Sequence, residues 1–165
     1  MPESTISHLA ALLQRDACLV GVGNRLKGDD AAGPLLVDAL GSVPGVLCLD
    51  TGVAPENYLE QIVATGASIV VIVDAMDVGE APGSVRLFEG ASLTGGLSTH
   101  ALSLELVTDY LRARGVAEVW LLGIQPEHIG LDAELSSPVR CAINEIAAAV
   151  SGRAGDEVWP DAKIS

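Results

Sequence analysis

The 165-residue chain has 9 basic and 22 acidic residues, a formal net charge of −13. That balance excludes nucleic acid and anionic membranes as partners, because both need basic surfaces. Its length predicts one domain burying roughly 70% of its unfolded surface, enough for a real core. Hydrophobic residues make up 49% of the chain but aromatics only 3%, so the core must be Leu, Val, Ile and Ala, which suits a sheet covered by helices. Mean hydropathy is high at +0.41, yet no apolar run approaches the ~18 residues that span a bilayer. Nor does the N-terminus read as a signal peptide, since Glu3 stands where basic residues belong and Leu9–Leu13 is short for an apolar segment. Cys18, Cys48 and Cys141 are odd in number and scattered, the pattern of buried reduced thiols in a cytoplasmic protein.

In chain order, Ser4 caps a first helix with apolar positions at Ile6, Leu9, Ala10 and Leu13, a 3.6-residue period. Strand one is Ala17–Val22. Ala32, Leu35, Leu36, Ala39 and Leu40 mark one face of a second helix. Pro34 fits only its first turn, so this helix starts close to Asp30. Strand two is Val46–Asp50, Pro55 opens a third helix that stops at Gly66, and strand three is Ser68–Asp74. The link Ala75–Gly83 is too short for a helical crossover. A fourth strand at Ser84–Phe88 is therefore antiparallel to the one before it or at an edge. Gly90–Gly96 reads as a loop, followed by a helix from Ser98/Thr99 to Gly115, strand five at Glu118–Ile124 and a last helix opened by Ser137-Pro138. The expected architecture is a three-layer α/β/α sandwich with a five-stranded, mostly parallel (mixed) twisted sheet. Residues 1–151 form its single domain and 152–165 a polar tail.

Ligands of such sheets gather at the carboxyl ends of the strands. There lies VGVGNRLKGDDAAGPLLVDAL at Val20–Leu40, a strand, a glycine turn and two adjacent carboxylates. Phosphate-binding turns put glycines here, but this turn also carries negative charge, which suits a cation. Asp30, Asp74 at the end of strand three, and His100 in the first turn of the later helix form the candidate metal set. Two carboxylates and one imidazole leave coordination sites open on a divalent transition metal. The positive end of a helix keeps His100 neutral and able to ligate. Each residue also has a plainer role: Asp29 or Asp30 as helix cap, Asp74 as a strand-end turn residue, and His100 as a helix-start hydrogen-bonder. For Asp29 the cap is the preferred reading. His128 reads as an exposed loop residue and His8 as a surface or packing residue of the first helix. A rival reading is a non-catalytic Rossmann-like nucleotide-binding or nickel-binding module, with Gly21 and Gly23 at the turn and Asp50 as the ribose acid. There the third glycine of G-x-G-x-x-G is missing, and Leu26 stands in its place.

These residues resemble the hydrogenase maturation peptidases, which trim the C-terminus of [NiFe]-hydrogenase large subunits. The resemblance covers about Leu19 to Val150. It lies in GVGNRLKGDDAAGP (Gly21–Pro34), LDTGVAPEN (Leu49–Asn57), VIVDAMD (Val71–Asp77), PGSVRLF (Pro82–Phe88), STHALSL (Ser98–Leu104) and LLGIQPEHIG (Leu121–Gly130), in the family's order. GDDAAGPLL and GIQPEHIG look most like the branch serving formate-hydrogenlyase-type hydrogenases. The resemblance implies metal ligands at Asp30, where some members have Glu, at Asp74 and at His100. It assigns nothing to His128 or to the chain beyond Val150. The implied partner is the C-terminal region of a large-subunit precursor, and the implied cofactor is a divalent metal, nickel supplied by that substrate. Two mechanisms stay open. In one, the metal activates the water that attacks the amide; in the other, it only docks, and an unligated carboxylate such as Asp29 or Asp77 activates water. No serine or cysteine nucleophile is indicated.

Overall fold

The computed structural model describes residues 4–90 and 101–152, and of 101–103 the backbone alone. The start of the loop-to-helix passage expected before Ala101, together with His100 and the tail from Arg153, lies outside the described residues. Elements follow in the order α1 (Thr5–Leu13), β1 (Ala17–Gly21), α2 (Ala32–Leu40), β2 (Leu47–Asp50), α3 (Leu59–Ala64), β3 (Ile69–Ala75), β4 (Val85–Glu89), α4 (Ala101–Ala113), β5 (Glu118–Ile124) and α5 (Ser137–Ser151). Ser4 caps α1 by accepting from the Ser7 amide at 3.1 Å, as its position before the apolar stripe predicts.

The sheet order is β2-β1-β3-β5-β4. The first four are mutually parallel, and β4 lies antiparallel to β5 at one edge. The short link before β4 thus reverses the chain as expected, but β4 pairs with β5 and not with β3. All seven residues of the central strand β3 are buried, as a strand covered on both faces requires. Its alternate side chains feed two cores. Leu9, Leu13, Leu36, Leu40, Ile143 and Ile146 from α1, α2 and α5 pack on Val71 and Val73. On the other face, Ile62 of α3 and Leu104, Val107 and Leu111 of α4 pack on Val70 and Ile72. The α/β/α layering is therefore present, with Leu, Val, Ile and Ala carrying both cores.

Two helix starts differ from expectation. The chain after Lys27 forms a 3₁₀ turn, Gly28–Ala31, and α2 begins only at Ala32. Pro55–Tyr58 likewise forms a 3₁₀ turn ahead of α3. In the first case Asp29 is bonded to a distant loop, which holds the turn tight; in the second, proline opens a turn whose buried residue is Pro55 itself.

Candidate active site

In this strand order the chain leaves β1 for β2 on one side, while β3 lies on the other. The crevice between the carboxyl ends of β1 and β3 is the topological switch point, where ligands of open α/β sheets bind. Gly21 stands opposite both Asp50 on β2 and Val73 on β3, and the Val22 amide continues the pairing by donating to the Val73 carbonyl at 2.9 Å. Glycine is required here for close approach. A Cβ on Gly33 would lie 2.4 Å from the Val22 carbonyl oxygen and 2.6 Å from that of Val73. One on Gly21 would lie 2.6 Å from the Gly33 carbonyl oxygen, and one on Gly23, 1.9 Å from that of Asp30. The glycines press the start of α2 and the preceding turn onto the strand ends. They bring backbone against backbone, not backbone against phosphate.

That packing sets Asp30 beside the switch point. Its carboxylate is nearly buried, at 5% exposure, and its Oδ2 accepts the Asn24 amide at 3.0 Å. The turn that carries it packs against β3. Asp74, wholly buried, stands opposite Gly123 of β5 at the end of β3. By strand alternation it falls on the same face as Val70 and Ile72, the face covered by α4. From α4 the chain turns into β5, where Glu118 donates its amide to Ser68 at the start of β3. The helix therefore runs against the parallel strands, and Ala101 stands at their carboxyl edge. His100, the residue before it, is outside the described residues. Among those described, no three His, Cys, Asp or Glu side chains form a metal-binding group.

Asp29 departs from the expected cap. It is 0% exposed, and no side-chain cap bond opens either the 3₁₀ turn or α2. Instead its carboxylate reaches the loop between β5 and α5. Oδ2 accepts the amides of Glu127 and His128 at 2.8 and 3.1 Å and the Ser136 hydroxyl at 2.8 Å, while Oδ1 accepts the Ser136 amide at 2.8 Å. The Asp29 amide donates in return to the His128 carbonyl at 2.8 Å, and the Asp132 amide to Leu26 at 3.0 Å. Nothing local in the sequence signals a partner 107 positions away. Asp77 is exposed, and its Oδ1 accepts the Gly79 amide at 3.0 Å. His128 is exposed, as expected of a loop residue, and His8 packs edge-on against Trp120 with ring centroids 5.2 Å apart.

Arg25, which carries no signal in the sequence, ties α2 to the carboxyl end of β2, on the side of β1 away from β3. It forks onto Asp38 at 2.6 and 2.9 Å and reaches Asp50 at 2.9 Å. The bond and charge of Asp38, reinforced by Asp50, hold its guanidinium even more firmly protonated than usual. Asp50 is thus engaged by Arg25 and by the Gly52 amide at 2.9 Å, away from the role of a ribose-binding acid. Gly23, Asn24, Arg25, Asp50, Gly52, Val53 and Tyr58 line an open groove of about 400 Å³ beside Asp30. The thiols lie elsewhere. Cys141 on α5 is exposed, where a buried thiol was expected, and Cys48 is half-buried. Burial pushes Cys18 up to about 11 and Cys48 up to about 12, so neither of these is a thiolate at neutral pH.

The fold and this crevice define the class: a doubly wound α/β domain with buried carboxylates at its switch point. Comparison with known proteins narrows it. The sequence profile of the hydrogenase maturation protease family matches residues 36–152. Hydrogenase 3 maturation protease of Escherichia coli K12 is 32% identical over 142 residues, 84% of this chain and 90% of that protein. A crystal structure of a [NiFe] hydrogenase maturation protease from Thermococcus kodakarensis superposes with a TM-score of 0.79 at 29% identity, covering 93% of this chain and all of that one. The crystal structure of the Hydrogenase 3 maturation protease superposes at 0.73 with 32% identity, over 84% of this chain and 91% of that one. The chain belongs to the hydrogenase maturation protease family, and its activity is that of an endopeptidase.

Proposed function

We propose that this endopeptidase removes the C-terminal extension of a [NiFe]-hydrogenase large-subunit precursor after nickel has been inserted. Asp30, Asp74 and His100 would meet the nickel carried by that substrate. The observation that carries this reading is the pair of buried carboxylates at the switch point, Asp30 and Asp74. Buried like charges are costly without a cation, and two carboxylates with one imidazole suit a divalent transition metal. Nickel would supply the positive charge by which loaded precursor is told from unloaded, and Lewis acidity at the amide.

The chain's own residues do the rest. Asn24 orients the Asp30 carboxylate through its amide. The groove beside it has room for an extended peptide segment. Leu26, Val53, Ile129 and Leu131, exposed by 67, 53, 44 and 68%, surround this edge and offer apolar contact to a polypeptide. Of the two candidate carboxylates Asp29 and Asp77, Asp77 is the exposed one and could accept a proton from water. Cys18 and Cys48 stay protonated at neutral pH, which disfavours either of them as nucleophile.

The test is incubation of the purified protein with nickel-loaded and nickel-free precursor, with the products weighed by mass spectrometry. Only the loaded precursor should be shortened, and Asp74→Asn, folded by circular dichroism, should leave it intact. Equal cleavage of both forms overturns nickel recognition; full cleavage by Asp74→Asn overturns the site.

A further inference from the structure

We propose that Asp29 is a positioning residue for the protease reaction: its buried carboxylate clamps the β5–α5 loop to the β1–α2 turn and thereby sets the orientation of Asp30. The inference rests on the protease reading of the site. Three observations converge on it. Asp29 is 0% exposed, so no substrate or bulk water touches it. Its two oxygens accept four hydrogen bonds, from the amides of Glu127, His128 and Ser136 and from the Ser136 hydroxyl. Its own amide closes the ring by donating to His128.

A carboxylate so engaged has no free edge with which to take a proton from water. What it does instead is mechanical. Asp30 is the next residue in the same 3₁₀ turn, and it is boxed from the other side, since its carbonyl abuts Gly23 so closely that no Cβ fits there. Gly28, at the start of the turn, is pressed in the same way: a Cβ there would lie 2.7 Å from the His128 carbonyl oxygen. The turn is thus gripped between β1 and the β5–α5 loop, and Asp29 is the grip on the loop side. Functional side chains hold their geometry when such supporting bonds lock the backbone beneath them. Two adjacent aspartates then divide the work, one facing inward to fix the turn and one facing the crevice.

The variants are Asp29→Asn and Ser136→Ala. In Asp29→Asn an amide N–H must face either the Ser136 amide or the three donors on Oδ2, whichever way the side chain turns. Ser136→Ala deletes one donor and nothing else. The measurements are kcat and KM on nickel-loaded precursor, the pH profile of kcat, and hydrogen exchange at the amides of Glu127, His128 and Ser136. The expected result for Asp29→Asn is faster exchange at those amides and a kcat lower by about tenfold or more, the usual cost of losing a supporting group. Its KM and the shape of its pH profile should stay as in the parent protein. Ser136→Ala should move exchange and kcat the same way by a smaller factor.

Faster exchange with kcat unchanged overturns the proposal in favour of a purely structural clamp. Loss of the acid limb of the pH profile with exchange unchanged overturns it in favour of a base. Should Asp29→Asn fail to fold, Ser136→Ala decides by the same criteria. Should the parent protein leave the nickel-loaded precursor uncleaved, the proposed substrate falls, whereas the exchange data still decide whether the clamp exists.

Discussion

Single residues at the β1–α2 turn carry more of this protein's design than their size indicates. Gly33 is the clearest case, because its missing side chain is where the backbones of β1 and β3 meet α2. Gly33→Ala would put a methyl group 2.4 Å from the carbonyl oxygen of Val22, just past β1, and 2.6 Å from that of Val73, which the sheet holds in place. We expect a loss of about 3 kcal/mol, at the upper end of overpacking costs, read from the urea midpoint. Asp29 and Asp30 show what a residue's neighbours in sequence leave open. Both could cap a helix as far as the local pattern goes. Asp30 was legible as the acid at a strand end, whereas the role of Asp29 was not, since all four donors to its carboxylate come from the β5–α5 loop.

At the scale of elements, β1 and β2 place Cys18 and Cys48 one register step apart, with Leu19 paired to Cys48 and Cys18 to Leu47. Burial is the main reason that both thiols are raised, to about 11 and about 12, and in Cys48 the nearby charge of Cys18 adds to it. The unfolded chain loses these protons near the ordinary thiol value of 9.0, before the folded one does. Their contribution to stability is therefore complete below pH 9 and is lost as pH rises toward 11 and 12. Urea midpoints measured from pH 8 to 11 should fall, and the fall should be shallower in Cys18→Ala/Cys48→Ala than in the parent protein. A slope identical in both would assign it to other groups. The five strands and the inner faces of α1 and α2 were readable from the apolar pattern, because the cores they line are aliphatic and continuous. The two 3₁₀ turns were not, because their tightness comes from contacts made after the chain has folded.

At the scale of the molecule, four of the six exposed large hydrophobics among the described residues, Leu26, Val53, Ile129 and Leu131, stand at the carboxyl edge of the sheet, although the chain has a net charge of −13. Replacing Leu26, Ile129 and Leu131 together by Ser should change stability by under about 1 kcal/mol, as for exposed sites. It should nevertheless raise KM for the precursor; an unchanged KM would remove these residues from the docking surface. By itself the sequence determined the class of fold, the aliphatic cores and the two carboxylates at strand ends, since hydrophobic period and strand-end position are local properties that survive without knowledge of contacts. Only the tertiary structure decided which strand β4 joins, that Arg25 takes Asp50, and that Asp29 holds a loop from the far end of the chain. Those depend on pairings between segments distant in sequence, which come together only when the sheet closes around β3 and its glycines let α2 settle against it.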